Sequence, residues 1–264
     1  MSYETLQTQL DRGIALIWLN RPDVRNAMNE VVIAELADAF EHAIGDDGAR
    51  AIVLAGRGSA FCAGGDLNWM QRARQFTPEE NRAGAVKLAR LLRTIYQSPK
   101  PTVARVHGPA FAGGMGLVAA CDIAVATTDA KFCLSEVKLG LIPSTISPYV
   151  IRAMGEPRAR RYFLTAEVFD AAEACRIGFV HETCAPAELD RTVDALLGRI
   201  VQGGPAALAE SKRLIRDMVG HPIDDALIED TAGRLAAVRA SDEAREGIAA
   251  FFEKRRPAWV PASK

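Results

Sequence analysis

Short apolar runs alternate with amphipathic stretches along the first half of the chain. The runs at 14–19, 51–55, 102–106, 122–126 and 131–134 predict strands that are largely buried. Apolar residues spaced by three and four positions predict helices over 29–44 and 79–96, which Gly45 and Ser98-Pro99 would end. Strands that alternate with helices are typical of an α/β fold.

The pattern changes after about residue 190, where helical spacing continues without a strand-like run. Helices are predicted over 189–201, 206–219, 224–240 and 243–252, with breaks at Gly203-Gly204-Pro205 and His221-Pro222. Their apolar faces are too extensive for solvent, so they should pack on the core or on another subunit. We therefore divide the chain into a core, 1–190, and a C-terminal all-helical region, 191–264.

Composition and charge narrow the function classes. The 264 residues include 32 basic and 33 acidic side chains, a net charge of −1, which gives no electrostatic case for nucleic-acid or membrane partners. No apolar run approaches the ~20 residues of a membrane span, and the N-terminal residues resemble no targeting segment, so we expect a cytoplasmic protein. The five scattered cysteines form no Cys-x-x-Cys or Cys/His cluster, so neither disulfides nor a metal site is expected.

Two glycine-rich turns carry the candidate chemistry. The segments AFCAGGDL (60–67) and GPAFAGGMG (108–116) each follow a predicted strand, and the second opens a helical pattern. Backbone N–H groups held at two such turns can converge on one oxyanion, as stabilisation of a thioester enolate requires. Glu136 follows the second turn and supplies a carboxylate for proton transfer. These features predict an acyl-CoA enzyme that makes or breaks a bond next to the thioester carbonyl.

Four motifs in order resemble the crotonase family, the enoyl-CoA hydratase/isomerase superfamily. The first is Leu19-Asn20-Arg21-Pro22 followed by Arg25-Asn26-Ala27. The others are FCAGGDL (61–67), the segment 108–123, and FCLSE leading to GLIP (132–143). The resemblance covers nearly the whole chain. It implies a ClpP-like spiral of ββα turns with a C-terminal helical region, assembled as a homotrimer or as a hexamer made of two trimers.

The resemblance also implies roles for particular residues. The backbone N–H groups of Ala63 and Gly113 would form the oxyanion hole, and Glu136 would be the acid–base group. CoA enters only as part of the thioester substrate, and no other cofactor is implied. The positions that match the family's CoA contacts are Arg25, Ala27, Ala63, Asp66, Leu67, Phe252 and Lys254. The last two could come from a neighbouring subunit, although packing of the last helix would equally explain Phe252.

One position departs from the family pattern, because Gly116 stands where two-glutamate hydratases carry their first glutamate. Gly116 could make room for a branched β-carbon, with water oriented by Ser144, Thr145, a backbone carbonyl or a distal carboxylate of the substrate. It could instead mark a double-bond isomerase with a single base. The segments 142–151 and 159–163 look like bacterial 3-methylglutaconyl-CoA and isohexenylglutaconyl-CoA hydratases, and this similarity favours hydration.

Other interpretations of these residues fit the sequence less well. A non-catalytic crotonase-fold scaffold would be expected to have a damaged oxyanion hole or base, whereas Ala63, Gly113 and Glu136 are all in place. Cys62 lacks a nucleophile elbow and a partner histidine. His107 is expected to be a structural hydrogen bonder, and Asp122 a buried carboxylate that anchors a helix end.

Overall fold

The structure is a computed structural model that describes residues 2–260. The outermost positions of the two predicted regions, residue 1 and residues 261–264, lie outside the described residues. The strands are β1 (Leu6–Asp11), β2 (Ile14–Leu19), β3 (Ala51–Gly56), β4 (Thr102–Val106), β5 (Pro109–Phe111), β6 (Ile123–Thr127), β7 (Lys131–Cys133), β8 (Phe169–Asp170) and β9 (Glu182–Cys184).

Helices connect and cover the strands. They are α1 (Glu30–Gly45), α2 (Leu67–Ala73), α3 (Pro78–Gln97), α4 (Gly113–Ala120), α5 (Ser147–Met154), α6 (Glu156–Thr165), α7 (Ala171–Arg176), α8 (Leu189–Ile200), α9 (Pro205–Met218), α10 (Asp225–Arg239) and α11 (Asp242–Phe252). Short 3-10 helices lie at Pro22–Val24, Glu136–Leu139 and Pro186–Glu188.

The strands form two sheets of different size. The larger has the order β1-β2-β3-β4-β6-β9, in which only the β1–β2 pair is antiparallel. The smaller has the order β5-β7-β8, with β5 and β7 parallel. Parallel strands need crossover connections, and helices supply them here. The α/β prediction is confirmed, and each predicted strand lies within two residues of its expected position.

Helices bury both faces of the larger sheet. On one face, apolar side chains of β2–β4 and β6 pack with those of α1, α3 and α4 in the main core. The other face packs against α8. There the β-strand residues Val53, Val103 and Val125 contact Leu189, Val193 and Leu197 of that helix. A parallel strand covered on both sides should be apolar throughout, and all six residues of β3 are buried.

The C-terminal helices form at the predicted places, and α9 is attached to the core through a charge pair. Lys212 of α9 reaches Asp122, with Nζ 2.6 Å from the carboxylate, at the start of β6. Asp122 also accepts hydrogen bonds from the N–H and hydroxyl of Thr102. Asp122 therefore binds the start of β4 and the side of α9, and it does not anchor a helix end as the sequence predicted. The subunit-contact role of this region stays a prediction.

Candidate active site

The two glycine-rich turns lie directly against each other. Cys62 and Ala110 pair as neighbouring parallel strands do. Cys62 N–H donates to the Pro109 carbonyl at 3.1 Å, and Phe111 N–H donates to the Cys62 carbonyl at 2.9 Å. These bonds hold the start of α4 beside the first turn.

Small residues are required where the turns meet. Gly64 has a φ of +97°, and a Cβ there would lie 3.0 Å from Ala112 Cβ. A Cβ at Gly114 would lie 2.6 Å from the Cys62 carbonyl oxygen. Ala112, just before α4, has a φ of 48° and a ψ of −119°, a conformation that costs a non-glycine residue roughly 1–3 kcal/mol. Such strain at the start of a helix is typical of a functional turn.

The backbone N–H groups at this junction that lack a hydrogen-bond acceptor among residues 2–260 include those of Gly65 and Gly113. Both glycines border Met28. Met28 pairs with Gly65, and its terminal methyl group occupies the space that a Cβ at Gly113 would need. The Gly113 N–H also belongs to the first residue of α4, where the helix dipole favours negative charge. The two groups are therefore the candidate donors to an oxyanion.

Ala63 differs from the expectation. Its N–H donates to the Arg25 carbonyl at 2.9 Å, so this donor is not free for a substrate oxygen. The bond fixes the loop after β2 against the first turn. The structure therefore corrects the assignment of Ala63 to the oxyanion hole, and Gly65 is the unpaired donor of that turn. Gly65 could not be singled out from the sequence, because either residue of the turn is small enough for the role.

Glu136 begins a 3-10 helix shortly after β7. The chain reaches it from Cys133, whose carbonyl accepts the N–H of Ala112, next to Gly113. Its Oε2 is buried and has no hydrogen-bond partner in the described chain. Burial raises the pKa of Glu136 above its ordinary value, although a hydrogen bond from its own backbone N–H lowers it in part. A carboxyl group with a raised pKa and an unused oxygen is suited to proton transfer.

The space beside Gly116 is filled by a neighbouring side chain. A Cβ at position 116 would lie 2.8 Å from Ile146 Cβ, and Ile146 Cγ2 lies closer still. Ile146 itself is buried, just before α5. The glycine therefore makes room for Ile146, not directly for a branched substrate carbon as the sequence analysis allowed. No signal in the sequence connected these two residues, which lie on different helices.

The predicted CoA-binding positions fall into two groups. Arg25, Ala27, Ala63, Asp66 and Leu67 lie around the first turn, where Arg25 and Leu67 are exposed. The Asp66 side chain is 6% exposed, and its carboxylate accepts hydrogen bonds from Arg21 and from the N–H groups of Asn68 and Trp69. This carboxylate caps α2, while the Asp66 N–H donates to the Met28 carbonyl and the Asp66 carbonyl accepts from Met70, so a contact of Asp66 with CoA stays a prediction.

Phe252 and Lys254 form the second group, at the end of α11. Phe252 is 77% exposed, which excludes the alternative that it packs in the core of its own chain. Both residues lie on an exposed helix end, where they could serve a neighbouring subunit. Their contact with CoA stays a prediction.

Other candidate residues prove to be structural. Cys62 is fully buried, and burial raises the pKa of its thiol to about 12 although Gly64 N–H donates to the sulfur. It is therefore not a nucleophile at neutral pH. His107 Nε2 lies 2.9 Å from the Gly58 carbonyl oxygen, as expected of a structural histidine.

Comparison with known proteins decides the family. The sequence model described as enoyl-CoA hydratase/isomerase matches residues 9–261. The chain belongs to the enoyl-CoA hydratase/isomerase family. Within this family, the crotonyl-CoA hydratase of Syntrophomonas wolfei is 33% identical and aligned over 98% of this chain and 99% of its own.

Solved structures match the fold over almost its full length. An enoyl-CoA hydratase from Shewanella pealeana has a TM-score of 0.94 and 42% identity, with 97% of this chain and 96% of that chain covered. AtuE from Pseudomonas aeruginosa has a TM-score of 0.93 and 37% identity, with coverage of 98% and 100%. The fold expected from the resemblance is thereby confirmed.

Among residues 2–260, no group of three or more His, Cys, Asp and Glu side chains could hold a metal ion. Within the same range, no helix combines the length and apolar character needed to cross a bilayer.

Proposed function

We propose that this member of the family is a hydratase that adds water across the double bond of an α,β-unsaturated acyl-CoA. The observation that carries the proposal is Glu136, a largely buried carboxyl group with an unused oxygen and a raised pKa. It stands close in the chain to the strand end that holds Ala112 and the free N–H of Gly113. The names of the hydratase relatives agree with this reaction class.

The thioester oxygen would lie between the N–H groups of Gly65 and Gly113. These donors stabilise negative charge that develops on the oxygen as the β-carbon is attacked, and loss of one such donor typically costs about 3–4 kcal/mol in barrier height. The start of α4 adds a favourable dipole. Because both donors are backbone groups held by the paired turns, they need no rearrangement when charge appears.

Glu136 would act twice in one turnover. As a carboxylate it removes a proton from water while the oxygen bonds to the β-carbon. As a carboxylic acid it returns that proton to the α-carbon, which collapses the enolate. One carboxyl group suffices for both transfers when both occur on the same face of the substrate. Its raised pKa makes the second transfer compatible with reaction near neutral pH.

For the substrate, we propose a branched glutaconyl-type ester such as 3-methylglutaconyl-CoA or isohexenylglutaconyl-CoA, of leucine or acyclic terpene breakdown. The support is the similarity of segments 142–151 and 159–163 to hydratases of that branch. Ile146 also supports it, because this side chain offers no polar atom to orient water beside Gly116. The distal carboxylate of such a substrate would supply the missing hydrogen-bond acceptor.

The working form would be a cytoplasmic homotrimer or hexamer. In such an assembly Phe252 and Lys254 would cover the adenine and 3′-phosphate of CoA bound to a neighbour. Their exposure at the end of α11 supports this arrangement.

A Δ3,Δ2-enoyl-CoA isomerase is the second candidate, and Ile146 is also the observation that favours it. An isomerase moves one proton from the α-carbon to the γ-carbon and needs no bound water. A site with one carboxyl group and an aliphatic wall meets that requirement.

The deciding experiment follows the enoyl-thioester absorbance of 3-methylglutaconyl-CoA with the wild type, Glu136→Gln and the exposed control Glu41→Gln. Loss of absorbance with the wild type and the control, but not with Glu136→Gln, would support the glutaconyl hydratase. Loss only with crotonyl-CoA would reject the glutaconyl substrate and keep the hydratase. A gain in absorbance with a 3-enoyl-CoA alone would favour the isomerase. No change with any ester would leave a scaffold role.

A further inference from the structure

A polar cavity lies at the carboxyl ends of β2, β3, β4 and β6, apart from Glu136. It encloses about 580 Å³, a volume within the usual range of small-molecule sites. The start of α8 closes one side, through Leu189 and Asp190. The carboxyl edge of a parallel sheet is a frequent place for ligands in α/β proteins.

Two residues that line this cavity carry a side-chain atom that is buried without a hydrogen-bond partner in the described chain, Thr127 Oγ1 and His107 Nδ1. Thr127 is only 1% exposed. The two residues follow the paired positions Val106 and Ala126 on neighbouring strands, so they stand side by side. A buried polar atom without a partner is unfavourable, and two in one cavity point to a group that both contact.

The hydrogen bond of His107 fixes what its free nitrogen can do. Nε2 contacts a carbonyl oxygen, which only accepts, so Nε2 carries the hydrogen and Nδ1 of the neutral ring is an acceptor. Burial lowers the pKa of His107, and Arg105 lowers it further, while the Gly58 bond, Asp129 and Asp190 raise it in part. The neutral ring with an acceptor at Nδ1 is thus the form expected at neutral pH.

Two guanidinium groups supply positive charge. Arg57 lies over the Trp18 ring at 3.8 Å from its centroid, and Arg105 lies 5.3 Å from the same centroid. Their Nε atoms bond Gln7 at 3.0 Å and Asp190 at 2.6 Å. The terminal nitrogens of both groups have no acceptor in residues 2–260, so they remain available to an anion.

We propose that this cavity binds the phosphate group of a small molecule. Phosphate oxygens would accept from Arg57, Arg105 and the Thr127 hydroxyl, while a P–OH group donates to His107 Nδ1. Carboxylate and sulfate lack that donor. The Asp190 side chain lies at the rim, 77% exposed, and Asp129 is exposed too, so their repulsion is screened and limits binding to moderate affinity.

The test measures binding by isothermal titration calorimetry to the full-length protein, at about pH 8. Inorganic phosphate should bind at least about tenfold more tightly than sulfate, because only phosphate offers a donor to neutral His107. Sulfate binding should strengthen as the pH falls and His107 becomes a donor at both nitrogens. Thr127→Val and Arg57→Gln should each weaken phosphate binding by about tenfold. Arg12→Gln, an exposed arginine at the opposite edge of the sheet, is the matched control and should bind normally.

Two further measurements complete the test. One distinguishes a phosphate monoester from free phosphate as the ligand, and the other checks that the Thr127 variant is folded. The first comparison is made at about pH 6, where a monoester still carries the P–OH group that its dianion lacks at pH 8. Tighter binding of glycerol 3-phosphate than of inorganic phosphate there would identify a monoester as the ligand, and the reverse would identify free phosphate. Thr127→Val should retain or raise the melting temperature without ligand, since it removes an unpartnered hydroxyl. The proposal is overturned if phosphate does not bind the wild type, or if both variants bind it as well as Arg12→Gln does.

Discussion

At the scale of single residues, Glu136 links activity to a cost in stability. Its pKa is raised in the folded chain by burial, so the folded state holds its proton more tightly than the unfolded state does. Between the unfolded and folded pKa values the folded state therefore binds more protons, and the free energy of unfolding falls as pH rises. A neutral amide at this position does not titrate.

We expect Glu136→Gln to reduce turnover by roughly 10²–10⁴-fold, since proton transfer is lost. The same variant should be more stable than the wild type at neutral pH, with the difference vanishing at acidic pH. Urea unfolding from acidic to neutral pH measures this, with Glu41→Gln as control. A stability difference that does not depend on pH would contradict the raised pKa.

The choice between Gly65 and Ala63 as oxyanion donor can be tested at the backbone. Replacing the amide N–H by an ester oxygen at position 65 should lower turnover by about 10²–10³-fold and leave the fold intact. The same replacement at position 63 removes the bond to the Arg25 carbonyl and should cost about 1 kcal/mol of stability instead. Kinetics and thermal unfolding of both semisynthetic proteins separate the two roles. Equal losses of turnover would reject the distinction.

Sequence motifs were enough to locate Gly113 and Glu136 at the site, because their residue types are tied to the chemistry. They could not identify the free N–H of the first turn. Which donor is free depends on the Arg25 carbonyl, which a separate loop brings to Ala63. The contact between Gly116 and Ile146 was hidden for the same reason, since it depends on how α4 meets α5.

At the scale of elements, the contact between Gly116 and Ile146 fits α4 against the start of α5. Gly116→Ala should destabilise the protein by about 1–3 kcal/mol, because the added methyl group overlaps Ile146. Ile146→Ala should cost about 2–5 kcal/mol through a cavity. The double variant should cost less than the sum, by about 0.5–3 kcal/mol, because each change relieves the other. Additive values in denaturant unfolding would show that Ile146 moves aside freely.

Elements with strong apolar patterns were predictable, and those with weak patterns were not. β3 is buried throughout and α1 presents a regular apolar face, so both were expected. β1 was missed because its inner residues, Gln7, Thr8 and Gln9, are polar and exposed, and its pairing with β2 alone makes it a strand. The short α2 depends on capping by Asp66, which periodicity does not report.

At the scale of the whole molecule, Lys212 couples the C-terminal helices to the sheet. Its amine is largely buried beside Asp122, and burial lowers its pKa despite that carboxylate. Asp122→Asn should therefore cost about 1–3 kcal/mol, because the amine loses its anionic partner although the Lys100 carbonyl still accepts from it. Asp122→Asn with Lys212→Met should be less destabilising than Asp122→Asn alone. Urea unfolding of the two variants measures the difference, and equal stabilities would mean that the pair does not hold α9 in place.

Exposed apolar side chains of the C-terminal helical region are candidates for contacts between copies of the chain. Ile223, Phe251 and Phe252 are 89%, 76% and 77% exposed, more than a monomer usually leaves in contact with water. We expect sedimentation to show a trimer or hexamer for the wild type. Phe251→Ser with Phe252→Ser should shift it toward smaller species, because these rings would lose their partner surface.

If the end of α11 also covers CoA bound to a neighbouring subunit, replacing Lys254 should change the KM without changing the assembly. Lys254→Ala should raise the KM for acyl-CoA and leave the KM for the matching acyl-pantetheine thioester unchanged, since only CoA carries the adenine and 3′-phosphate. Because Lys254 is exposed and follows the helix, the variant should keep the wild-type sedimentation behaviour. A KM that rises equally for both thioesters would place Lys254 away from the nucleotide. An unchanged KM for both would show that the helical region joins subunits without contacting CoA.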